Sequence, residues 1–188
     1  LQLVVYMDAA MEMLRGQHPK KEILPGGILY YHIDDPVLES DTPLSDEEAE
    51  QALLFALRPD GLVNSGEEIY RAMDQNFEGK SQMIPVEIKK NGEISTARSK
   101  VASTEEFAVI TRYVEHEIRQ CGEAIYAGNI AVNPYRSDIE TSCTYCPYTS
   151  VCGMDAKIPG YEYRQFASMK KEEVLDQMQT ELARNRGK

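Results

Sequence analysis

No stretch of this 188-residue chain approaches the ~20 consecutive apolar residues that a helix needs to cross a bilayer. Nor does it open on the basic-then-apolar segment of a secretory signal. Without such a signal an oxidising compartment has no support, disulfides are not expected, and the location to expect is cytoplasmic. Positive charge is scarce: 20 Lys and Arg stand against 31 Asp and Glu, a net charge of -11. That balance argues against a free-standing nucleic-acid-binding domain unless the basic residues cluster. Internal repeats and low-complexity blocks are missing too. So is a starting Met: the chain begins Leu1-Gln2-Leu3, already in a helical pattern, and reads as a piece cut from a longer protein. Cysteine is sparse but crowded, with three of the four, Cys143, Cys146 and Cys152, in one short segment and Cys121 apart.

At 42% hydrophobic, the chain can bury a core without covalent staples. Leu3, Met7, Ala10, Met11 and Leu14 mark one face of a helix over Leu1 to Arg15, ended by Gly16, His18 and Pro19. Ile28 to Ile33 is nearly all apolar or aromatic between turn residues, and predicts a strand buried on both faces. Ser45 with Glu48 forms a capping box before a helix over Ala49 to Leu57, and "SGEEIYRAMD" offers further helical turns. Asn91-Gly92 predicts a hairpin over Met83 to Val101. A second box, Ser103 with Glu106, opens the longest helix, Thr104 to about Ala127, with Phe107, Ile110, Val114, Ile118 and Ile125 along one stripe. The cysteine loop follows, then a charged helix from Lys170 to about Arg184. The expected class is α/β, in an α+β piece whose single buried strand and hairpin do not complete a sheet. Its expected segments are a helix and strand (1–38), a helical and hairpin insertion (39–102), the long helix (103–130), the cysteine loop (131–158) and a tail helix (159–188).

The spacing Cys143-x2-Cys146-x5-Cys152 is open to several readings. Free structural thiols usually sit inside apolar patterns, whereas these alternate with Thr, Tyr, Pro and Ser. Soft thiolates select zinc or an iron–sulfur cluster. Zinc sites tend to come as two short-spaced pairs, and only one is here. Pro147 directly after Cys146 matches the Cys-Pro of iron–sulfur loops. Cys121, near the last two turns of the long helix, is either a fourth ligand or a helix-interface cysteine, and the reading of the chain as a cut piece favours the second.

"CTYCPYTSVCGMD", "PGGILYYHIDDP" and "LQLVVYMDA", in that relation, resemble the B subunit of AddAB-type ATP-dependent helicase–nucleases. Gln2 and Tyr6 within "LQLVVY" are similar to the Gln-x3-Tyr motif of RecB-like nucleases. The resemblance implies a Mg²⁺-dependent PD-(D/E)xK DNA exonuclease, restriction-endonuclease-like in fold, with a cysteine-rich C-terminal loop. It implies further a [4Fe–4S] cluster with Cys143, Cys146 and Cys152 as three ligands, a DNA substrate, an AddA-like partner subunit, and ATP bound outside this chain. The family's metal-binding Asp, its Asp-Tyr-Lys strand and its fourth cluster cysteine precede the Gln-x3-Tyr helix and do not occur here. The chain therefore resembles the back portion of the nuclease domain, incomplete in cluster and inactive alone.

Gln2 and Tyr6, four apart, share one helix face. "HIDD", His32 to Asp35, is the one short stretch resembling a hard-cation site, and Asp35 before Pro36 reads as a strand-end turn. Lys80, Lys89, Lys90, Arg98 and Lys100 form a basic island, with Lys89 and Lys90 as candidate DNA contacts against a role in protecting a hairpin edge. Tyr145, Tyr148, Tyr161 and Tyr163 could stack on bases or pack the cysteine loop. A CRISPR-associated or stand-alone exonuclease, and a zinc-stabilised interaction module using Cys121, are the rival readings.

Overall fold

A computed structural model describes residues 1–33, 35–75 and 77–185. The chain divides into two compact units, Leu1–Val114 and Glu115–Lys188. In the first, helix α1 (Gln2–Gln17) is followed by strand β1 (Gly27–Tyr30), helix α2 (Asp46–Ala56), strand β2 (Asp60–Asn64), helix α3 (Glu67–Met73) and strand β3 (Val101–Ala102). Helix α4 (Thr104–Tyr126) begins in the first unit and ends in the second, which adds β4 (Tyr135–Arg136), α5 (Thr149–Cys152), β5 (Arg164–Gln165) and α6 (Lys171–Asn185).

Both capping boxes form. Ser45 Oγ accepts from the Glu48 amide while the Glu48 carboxylate accepts from the Ser45 amide, which holds that carboxyl below its ordinary range. Ser103 and Glu106 make the same reciprocal pair at α4, leaving two fewer orphan donors in its first turn. The stripe expected along α4 is buried at its start, with Phe107 1% and Val114 8% exposed, and opens towards its end, where Ile125 is 78% exposed.

The three-stranded sheet runs β1-β2-β3. β1 and β2 are antiparallel, with Gly27 opposite Val63 and Tyr30 opposite Asp60, while β2 and β3 are parallel, with Val63 beside Val101. Two expectations are corrected here. The strand read over Ile28 to Ile33 stops at Tyr30 and is not buried on both faces; it lies at the sheet edge, with Tyr30 66% and Ile33 89% exposed. The hairpin read over Met83 to Val101 shrinks to a tip around Asn91-Gly92, with Ile88 bridged to Ile94 and backbone bonds joining Lys89 to Glu93 and Glu87 to Ser95. Pro85, which has no amide proton, sits in the first arm, and Val101 leaves the second arm to pair with β2.

The core of this unit gathers on β2 and the segments after it. Val63 and Val86 are fully buried, packed with Ile84, Ile88, Val101 and the edge-to-face pair Tyr70 and Phe77, whose ring centroids are 6.2 Å apart. Burying each such side chain contributes about 1.5–3 kcal/mol. Three polar residues, Asn64, Ser81 and Ser95, are buried among the described residues of this unit. Ser81 donates to Asp74 (2.7 Å) and accepts from the Met83 and Ile84 amides (3.0 Å each). Asn64, 1% exposed, donates Nδ2 to the Pro25 carbonyl (2.8 Å) and Thr104 Oγ1 (3.0 Å) and accepts from the Gly66 amide (2.9 Å).

Candidate functional site

Three places carry the residues singled out from the sequence. At the first, α1 packs on β1, with Leu3, Met7, Met11 and Leu14 facing Ile28 across an open groove of about 420 Å³. Tyr6 lies on its rim. Gln2 Nε2 donates to Tyr6 Oη at 2.7 Å, as expected of residues one turn apart. Tyr6 is 60% exposed, so the bond fixes the two side chains without withdrawing them from solvent. The amide carbonyl and the phenolic proton stay available to a water or a phosphate oxygen. Asp34 of "HIDD" lies outside the described residues; His32 and Asp35 are exposed beyond the end of β1. Among the described residues no three His, Cys, Asp or Glu side chains gather as a metal site. Hydrolysis of a phosphodiester on a hard cation requires converging carboxylate oxygens, which the described part of this chain does not bring together.

The second place is the cysteine loop in the second unit. Its base is closed by the parallel pair β4–β5, Tyr135 beside Arg164 and Arg136 beside Gln165, clamped by Tyr135 and Phe166 rings edge to face at 5.7 Å. Within it the Cys146 amide donates to the Cys143 carbonyl (3.3 Å) and the Cys152 amide to the Tyr148 carbonyl (2.8 Å), at the end of the single turn α5. All three thiols are free and partly buried, while Cys121 is free and exposed on α4. The donor chemistry suits a soft metal, but the three thiols share a loop without converging on one point: they too are among the described residues that form no metal-holding group.

Of the tyrosines read from the sequence as stacking on bases or packing the cysteine loop, Tyr163 turns towards the loop. Its hydroxyl is held above the ordinary tyrosine range chiefly by a hydrogen bond to the Cys143 side chain, and the Arg136 guanidinium lies 4.2 Å from its ring centre. Tyr145 and Tyr148 are 93% and 68% exposed. Arg136 was not anticipated beside Tyr163 and Cys143, because a two-residue parallel pair carries no sequence period.

The basic island divides. Lys100 pairs with Asp60 (2.6 and 2.7 Å), holding that carboxyl below its ordinary range, and Arg98 pairs with Glu87 (2.8 Å). Lys80 caps the Phe55 ring at 3.9 Å. Lys89 reaches Glu93 only at 3.9 Å, and Lys90 is exposed beside it.

A family model described as the PD-(D/E)XK nuclease superfamily matches residues 1–153. The chain belongs to this superfamily. A Thermoanaerobacter sp. protein, named as the B subunit of an ATP-dependent helicase/deoxyribonuclease, is 38% identical over 182 residues, covering 97% of this chain and 16% of the relative. Relatives of the same name from Lachnoclostridium phytofermentans and Clostridium botulinum are 38% and 37% identical, covering 96% and 97% of this chain and 16% of their own length. The superfamily membership and the mixed helix-and-sheet architecture agree with the partial nuclease fold expected from the sequence, and the relatives agree with the B-subunit resemblance. No helix among the described residues is long and apolar enough to cross a membrane.

Proposed function

We propose that this chain is the back portion of the nuclease domain of an AddB-like helicase–nuclease protein. The parent degrades DNA ends during double-strand-break repair by homologous recombination. It works in the cytoplasm with an AddA-like partner, and ATP is bound outside this chain. The observation carrying the reading is 38% identity across 97% of the chain to a protein named as the B subunit of an ATP-dependent helicase/deoxyribonuclease. The Gln2–Tyr6 pair supports it, fixed at 2.7 Å on an open helix face where it can hold a phosphate oxygen or orient water. Mg²⁺ would supply charge stabilisation and water activation, held by carboxylates that the described residues do not assemble.

The isolated chain is therefore expected to leave end-labelled duplex DNA intact in Mg²⁺, under conditions where the full-length parent cuts it. In the parent, Gln2→Ala is expected to lower cleavage by roughly 10²-fold through loss of positioning. Robust cleavage by the chain alone overturns the assignment.

Cys143, Cys146 and Cys152 would hold three irons of a [4Fe–4S] cluster acting as a structural staple, with the fourth thiolate supplied from outside this chain. Three free thiols on one closed loop support this donor set. Iron and sulfide analysis after anaerobic purification of the chain is expected to show less than one cluster per chain. A stoichiometric cluster contradicts an external fourth ligand, and one zinc per chain released by Cys121→Ser contradicts the cluster itself.

A further inference from the structure

Between the end of α3 and the Asn91-Gly92 tip lies an open groove of about 610 Å³, within the size of small-ligand sites. Arg71, Lys89 and Lys90 line it with a single carboxylate, Glu78, over an apolar floor of Phe77 and Ile88. In a chain of net charge -11, that local reversal of sign is the notable feature. Arg71 is fixed rather than trailing: its guanidinium donates to the Phe77 carbonyl (3.0 Å) and lies 5.0 Å from the Phe77 ring centre and 5.7 Å from that of Tyr70. Among the described residues those partners are a carbonyl and two rings, so its positive charge is held in place with no ion pair to a carboxylate. Lys89 is only marginally paired, whereas Arg98 and Lys100 on the same segment are neutralised at 2.8 and 2.6 Å.

Protection of a hairpin edge explains this arrangement poorly. The paired tip is short, and Arg71 comes from α3, which has no edge to protect. One fixed guanidinium and two exposed lysines around an apolar floor instead match a single strand of nucleic acid, its phosphates on the cations and an unpaired base against the floor. The geometry points to this groove as a binding site for the backbone of single-stranded DNA, set on Arg71, Lys89 and Lys90 and distinct from the Gln2–Tyr6 face. The choice of DNA rests on the nuclease reading above.

The test is fluorescence anisotropy of a labelled oligothymidylate of about 15 nucleotides, a length spanning a typical single-strand site, titrated with the chain at low salt. Lys89→Gln with Lys90→Gln is expected to weaken binding about 10-fold and to flatten the dependence of log affinity on log salt by about 0.7 per lost phosphate contact. Arg98→Gln, which removes the same kind of charge from a residue already paired with Glu87, is expected to leave affinity within about 2-fold, short of the tenfold that corresponds to about 1.4 kcal/mol. Both lysines are exposed, so the double variant should keep the parent melting temperature, which is measured alongside. Absence of binding at low salt, equal losses in the Arg98 and lysine variants, or equal competition by duplex DNA each overturns the site. Binding is read without cleavage. A chain that binds while the parent fails to cut sinks only the nuclease reading, and a parent that cuts while the chain fails to bind sinks only this groove.

Discussion

Asn64→Leu is expected to lower the unfolding free energy of the first unit by about 3–5 kcal/mol, read as a fall in the urea midpoint at unchanged slope. The size follows from what one amide holds. Asn64 Nδ2 serves the Pro25 carbonyl and Thr104, and its Oδ1 takes the Gly66 amide that opens α3. Leu fills a similar volume and satisfies none of them. Each buried group left without a partner costs about 1–3 kcal/mol, and Pro25 and Gly66 cannot turn to find another. Thr104 can rotate its hydroxyl elsewhere, which keeps the total below the sum of three. A loss under about 1 kcal/mol would mean that water replaces the amide, and that the side chain does not tie the approach to β1, the start of α3 and the start of α4 to β2.

Gly61→Ala is the second large effect, expected to destabilise by about 3 kcal/mol or more, from a strained backbone conformation (about 1–3) and overpacking (about 1–3) together. Gly61 has φ +148, a region L side chains avoid, and an added Cβ would drive into the Ile28 carbonyl oxygen and lie 2.9 Å from Leu29 Cα. Both are backbone atoms of β1, so the strand itself must move away. Amide exchange should show the change first in β1 and β2, with Ile28 opposite Leu62 and Leu29 opposite Gly61 losing protection. Gly92 provides the contrast. It also has positive φ, +85, but nothing lies within 4 Å of its added Cβ, so Gly92→Ala should cost only about 1 kcal/mol. Equal losses at the two sites would show that backbone strain alone, without the clash, sets the penalty.

What the sequence disclosed tracks how local each interaction is. The boxes at Ser45–Glu48 and Ser103–Glu106 span three residues, and both form as expected. Gln2 and Tyr6 meet because a helix returns to the same face after four residues. β2 escaped notice because only Leu62 and Val63 are apolar in it and Pro59-Asp60-Gly61 reads as a turn. The parallel pairing of Val63 with Val101 joins distant segments, so no window of sequence contains it. Asn64 before Ser65-Gly66 carries the signature of a loop residue, and only its burial against Pro25 shows what it does. In the second unit the three cysteines were visible as a group and Tyr163 as a residue that could pack their loop, whereas Arg136 was not, since its meeting with Tyr163 depends on the β4–β5 pair.

That pair acts on the thiol segment like a drawstring. Tyr135 beside Arg164 brings together the entry and exit of a stretch containing Cys143, Cys146 and Cys152, so the entropy of closing it is already spent by backbone bonds and two aromatic rings. Whatever the sulfurs grip has only to order the inside of a bag whose mouth is shut, and losing it leaves the mouth tied.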